Sequence, residues 1–133
     1  MGTVFSSEWM SGFKSAWNAE PELSGALAKI GFASVIGYGV PNEQNPRGVV
    51  VIQNGQCVEA GPFNGQALNW DLRASEDTWT KWLSSPPGMM GLGAAYTTGK
   101  IKFLVGDYAA MIKDPRMAGP FIKSFQVMSK VPR

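Results

Sequence analysis

The nucleophiles this chain offers are Cys57 and its serines, and no histidine exists to activate any of them. Without imidazole there is no Ser-His-Asp or Cys-His pair and no imidazole metal ligand. A single cysteine excludes an internal disulfide, a CxxC redox pair and a cysteine zinc site. Glu76 and Asp77 are adjacent just after Ser75, where the positive end of a helix accounts for them. Glu59 and Asp71 fall on predicted strands, and polar alternation turns both toward solvent. Gly99-Lys100 looks like the end of a phosphate loop, but Ala94 stands where its first glycine belongs and Ile101 where Ser or Thr belongs. Gly37-Tyr38-Gly39 lacks the helix that a dinucleotide fingerprint requires. These residues predict no catalytic group, no metal and no cofactor.

What remains is apolar. Met89, Met90, Met111, Met117 and Met128 are five of the seven methionines and lie in the last 45 residues, beside Phe103, Tyr108, Phe121 and Phe125. Methionine is flexible and polarizable, so it lines surfaces that must accept variable apolar shapes. The expected contacts of an apolar ligand are Trp82, Met89, Met90, Phe103, Val105, Met111, Met117, Phe121, Phe125 and Met128. Two other readings use the same residues: a filled core, and a helix face that docks on an enzyme partner.

Positioning those residues takes a fold, and the periodicities supply one. Ser7 reads as an N-cap for a helix over Glu8–Asn18, and Pro21 opens a second helix stopped by Gly31. Phe32–Val40 alternates large residues with Gly37 and Gly39, which mark a bulge or a close neighbour. Arg47–Gln53 and Gln56–Ala60 flank Asn54-Gly55, a hairpin signal. In the next strand Leu68, Trp70, Leu72 and Ala74 face inward, while Asn69, Asp71 and Arg73 face outward. Ser75 caps a helix ended by Pro86-Pro87-Gly88, and Met89–Tyr96 is a short helix. Lys100–Val105 is the fifth strand, Asp107 caps one or two helical turns, and Pro115 opens a last helix striped by Met117, Phe121, Phe125 and Met128. Helices segregated from a mainly antiparallel five-stranded sheet make the class α+β, a single domain over residues 1–133.

Charge is sparse, at 17% against a usual ~25%. Residues 1–99 hold 5 basic and 8 acidic side chains, net −3; residues 100–133 hold 7 and 2, net +5. A basic last third suits an anionic headgroup or at most transient contact with an anionic membrane. No lysine or arginine run is present, so nucleic acid is not expected. No apolar run approaches the ~18–20 residues of a membrane span, and no secretory signal opens the chain, which predicts a cytoplasmic location. Met1-Gly2-Thr3-Val4-Phe5-Ser6 fits the short myristoylation pattern, which is common by chance.

Several stretches resemble the sterol-carrier-protein-2 family of lipid-binding domains. Gly99-Lys100-Ile101-Lys102-Phe103-Leu104-Val105-Gly106-Asp107 is similar to its signature strand, and Ile52-Gln53-Asn54-Gly55-Gln56 to its hairpin. Leu72-Arg73-Ala74-Ser75-Glu76-Asp77-Thr78-Trp79 resembles its strand into a capped helix; Glu8-Trp9 and Asn18-Ala19-Glu20-Pro21-Glu22-Leu23 resemble free-standing bacterial members. The resemblance implies helices over a five-stranded sheet and a hydrophobic tunnel for sterols, fatty acids, acyl-CoA or phospholipid. Phe103, Val105, Met117, Phe121, Phe125 and Met128 would border that tunnel. It implies carriage without catalysis. Departures are the Pro41–Pro46 loop, the Met89–Tyr96 segment, and the ending Val131-Pro132-Arg133 in place of a peroxisomal signal.

Overall fold

The computed structural model describes residues 4–132. The start of the myristoylation pattern, Met1-Gly2-Thr3, and the final Arg133 lie outside them. Helix α1 (Ser7–Ala19) is followed by a π-helical turn (Pro21–Gly25) and a short α2 (Ala26–Ala28). Strands β1 (Ser34–Gly39), β2 (Gly48–Gln53), β3 (Gln56–Pro62) and β4 (Trp70–Ala74) come next. Then come α3 (Glu76–Ser84), α4 (Met89–Thr97), β5 (Ile101–Val105), α5 (Tyr108–Ile112) and α6 (Pro115–Ser129).

The five strands form one sheet in the order β3-β2-β1-β4-β5. Three pairings are antiparallel, and β1–β4 is parallel, so the sheet is mixed but mainly antiparallel, as expected of the α+β class. The Asn54-Gly55 hairpin forms with positive φ at both residues, 50° and 81°, the turn whose twist matches its strands. Gly55 is also a close-approach site. A Cβ there would collide with Ala28 N and Ser24 O. The Trp17 indole donates to Gly55 O at 3.0 Å, and Asn18 brackets Cys57 with two hydrogen bonds, 2.9 and 2.7 Å. These contacts lay α1 across β2 and β3.

Local chemistry sets most boundaries. The N-cap of α1 is Ser6, not Ser7: its backbone is extended and its hydroxyl accepts from Trp9 N at 3.2 Å. Ser75 and Asp107 cap α3 and α5, accepting from Thr78 N and Ala110 N. Buried aromatics then weld the layers together. Phe5 stacks on Tyr38 and meets Trp79 edge-on at 5.1 Å, and Trp79 donates to Gly39 O at 2.9 Å.

One sequence expectation is corrected on the opposite face of the sheet. Asp71 and Arg73 do not point into solvent; they are 5% and 0% exposed. The Pro41–Pro46 loop folds back over that face. Pro46 seats against the bare backbone of Gly37 and Gly39, where any Cβ would lie 3.1 Å from it. Asn69, just before the strand, is exposed and follows the expectation. Its carboxamide oxygen accepts from Val35 N at 2.8 Å.

Candidate functional site

A cavity of about 40 Å³ lies between the sheet and the last helix. Its floor is Ile36 and Tyr38 of β1 with Trp70 and Leu72 of β4, neighbours through the parallel pairing. Leu23 and Leu27 form one wall. Met111 of α5 and Met117, Phe121 and Ser124 of α6 form the roof. Among the described residues no charged side chain reaches the wall. Two polar groups of the lining are engaged elsewhere: the Ser124 hydroxyl donates to Phe121 O within its own helix, and the Trp17 indole donates to Gly55 O.

The expected contact residues divide by position. Met111, Met117 and Phe121 line the cavity. Phe103 lies one layer outward, half-buried, with ring centroids 6.0 Å from Phe121 and 5.2 Å from Tyr108. Phe125 and Met128 are 1% and 2% exposed in the core, Phe125 against Trp79 and Trp82. Trp82 carries Phe125 on one side and borders a surface groove between α3 and α4 on the other. Met89, Met90 and Val105 are exposed, Met90 at 88%. The floor and the Leu23–Leu27 wall were absent from the sequence-derived set. Their signal was present, since Trp70 and Leu72 alternate inward and Leu23 and Leu27 share a helical stripe.

An ion-pair cluster joins two of the elements that frame the cavity. Lys123 of α6 meets Glu22 at 2.9 Å and Glu20 at 3.9 Å, and Lys130 meets Glu20 at 3.7 Å. The Lys123 hydrogen bond and charge hold the Glu22 carboxyl below its usual range, and Glu22 raises the Lys123 ammonium. A depressed carboxylate contributes its stability above its unfolded pKa and loses it as pH falls through the folded one. The pair is solvated, so its contribution is small.

Reactive groups near the cavity are muted. Burial, then the neighbouring Cys57, raises the Tyr38 phenol far above its usual value. Burial pushes the Cys57 thiol up to about 11. At pH 8 its thiolate population is then roughly 100-fold below that of an ordinary cysteine. Native Cys57 is expected to resist iodoacetamide at pH 8 and to react fully once urea unfolds the chain. Equal rates in both states would contradict the burial. Among the described residues no group of three or more His, Cys, Asp or Glu could hold a metal ion, and no helix is long and apolar enough to cross a membrane.

No protein-family model matches the chain, and no curated protein matches it. Solved structures do. A crystal structure of sterol carrier protein 2 superposes with a TM-score of 0.77 at 18% identity, covering 98% of this chain and 100% of that one. A ubiquinone synthesis protein, UbiJ-SCP2, gives 0.54 at 12% identity over 93% and 90%. The sterol carrier protein domain 2 of Helicoverpa armigera gives 0.51 at 15% identity over 99% and 97%. The chain therefore has the sterol-carrier-protein-2 fold.

Proposed function

We propose that this chain, a sterol-carrier-protein-2 fold, binds and carries a lipid or other apolar small molecule between its sheet and α6, without performing chemistry on it. The observation that carries the reading is a cavity walled by residues from β1, β4, α5 and α6, with no charged side chain in its lining. Such cavities stay dry and take apolar guests. In the conformation described, the space is small beside the engineered cavity of about 150 Å³ that binds benzene. Uptake of an acyl chain therefore requires the roof to move. Pro120 sits inside α6 between Met117 and Phe121 and cannot donate to Arg116 O, which weakens the helix where it covers the cavity. The cations Lys102, Lys113 and Arg116 fall in the basic last third of the sequence, which fits a headgroup role. A reduced, buried Cys57 fits a cytoplasmic location.

The test is titration with cis-parinaric acid, a fluorescent fatty acid, against protein labelled at its methionine methyls. The reading requires one saturable site, displacement by oleate, and methyl shifts at Met111 and Met117. Shifts confined to exposed Met89 and Met90, or no saturation, would remove it.

A second reading, an accessory subunit docking on an enzyme that handles an apolar substrate, draws on the exposed Met89, Met90, Tyr96, Leu104 and Val105. The structural similarity to a ubiquinone synthesis protein suits it. Native mass spectrometry of protein from its own host separates the two: co-purifying lipid supports carriage, a stoichiometric protein supports docking.

A further inference from the structure

A second depression, about 350 Å³ and several times the size of the internal cavity, lies between α3 and α4. Its size falls within the range of small-molecule sites, about 300–1,000 Å³. Trp82, Pro86, Pro87 and Ala95 supply apolar surface. Trp82 is 8% exposed and held edge-on by Trp79 at 5.7 Å and Phe125 at 5.5 Å, so this surface is rigid. Lys81 of α3 and Lys100, just beyond α4, also line the groove. No acidic side chain does.

Arg47, Arg73, Arg116, Lys123 and Lys130 all have carboxylate partners. Among the described residues Lys14, Lys29, Lys81, Lys100, Lys102 and Lys113 have no carboxylate partner, and of these six Lys81 and Lys100 line the groove. Their backbones are nevertheless fixed: Lys100 N donates to Ala95 O at 2.8 Å, and Lys81 O accepts from Ser85 N at 2.8 Å. Two uncompensated ammoniums on a concave surface with an apolar floor focus positive potential where a flat body can rest. We propose that the α3–α4 groove binds a small amphiphilic anion, a carboxylate or phosphate ester on a flat or short apolar body. The anion would meet Lys81 and Lys100 and the apolar body Trp82 and the prolines. This site is separate from the lipid cavity and does not depend on it.

The experiment is an amide and indole NMR titration with 1-naphthyl phosphate, run beside 1-naphthol and inorganic phosphate. Saturable shifts are expected at Gly91, Ala95, Thr98 and the Trp82 indole. The intact ester should bind at least about tenfold tighter than either fragment, because charge and apolar contact act together. The double variant Lys81→Ser/Lys100→Ser alters two exposed side chains, so it should stay folded. It should lose at least about tenfold for the ester and nothing for 1-naphthol. Cis-parinaric acid binding should be unchanged in that variant. The site is overturned if shifts map to Phe121 and Met111, or if the double variant binds the ester as well as the parent does. Equal binding of ester and naphthol would show apolar attraction alone. Equal binding of ester and free phosphate would show an adventitious ion only. Either result also ends the proposal.

Discussion

Replacing Arg73 with methionine is expected to cost about 3–5 kcal/mol, a large part of the stability of a domain this size. The side chain is fully buried and makes five hydrogen bonds. Nε and Nη2 fork onto the two oxygens of Asp71 at 2.6 and 3.0 Å. Nη1 donates to Val40 O at 3.0 Å and Glu43 O at 2.6 Å, and Nη2 to Gln44 O at 3.2 Å. Methionine fills most of the volume but leaves the Asp71 carboxylate buried without its cation, together with loop carbonyls that lose their donor. The cost comes from those orphans, because a buried pair is close to break-even against apolar replacements. Two comparisons make the argument sharp. Arg73→Lys keeps the charge but loses the fork, so it should fall between parent and Met. Adding Asp71→Leu to Arg73→Met should recover part of the loss, because it removes the unpaired charge but not the loop carbonyls. Urea unfolding followed by tryptophan fluorescence gives all four values. A loss below about 1 kcal/mol for Arg73→Met would mean that the loop is not held through this guanidinium.

That same residue marks where sequence reasoning loses its grip. Strand alternation places polar residues outside only if the outer face meets water, and alternation cannot know that a loop returns to cover it. The signal that could have warned was the bare backbone at Gly37 and Gly39, read as a close neighbour. That neighbour is Pro46. Elements encoded by local chemistry were legible: the Asn54-Gly55 turn, the Ser75 cap and the Asp107 cap all fold as their residue types require. The candidate site was legible only as a stripe. Met117, Phe121, Phe125 and Met128 share one helix face, but eleven residues of helix rise about 16 Å, so the two ends of the stripe meet different neighbours. Met117 and Phe121 meet the cavity; Phe125 meets Trp79 and Trp82. Periodicity reports which way a side chain points and is silent on what stands opposite. The π-helical turn at Pro21–Gly25, part of whose face walls the cavity, carries no periodic signature distinct from an ordinary helix.

The difference along that stripe yields the second large effect. Phe121→Asp should abolish cis-parinaric acid uptake, a loss of at least about 100-fold, while Phe125→Asp should unfold the chain. Phe121 is half-buried and lines the cavity, with Phe125 at 5.2 Å and Phe103 at 6.0 Å. Its partial exposure lets a carboxylate reach water in the empty protein, so the fold tolerates the change. A seated acyl chain would strip that water and leave the charge against hydrocarbon, a penalty charged to binding alone. Phe125 has no such escape. At 1% exposure, between Trp79 at 6.4 Å and Trp82 at 5.5 Å, its aspartate would be desolvated in the folded state itself. Circular dichroism beside the binding assay reads both consequences, and Phe121→Leu, which keeps the wall apolar, should retain fold and uptake together. If Phe121→Asp binds fatty acid as the parent does, the guest lies elsewhere and the cavity is a packing defect. If it unfolds like Phe125→Asp, residue 121 belongs to solid core, and α6 cannot serve as a roof that opens.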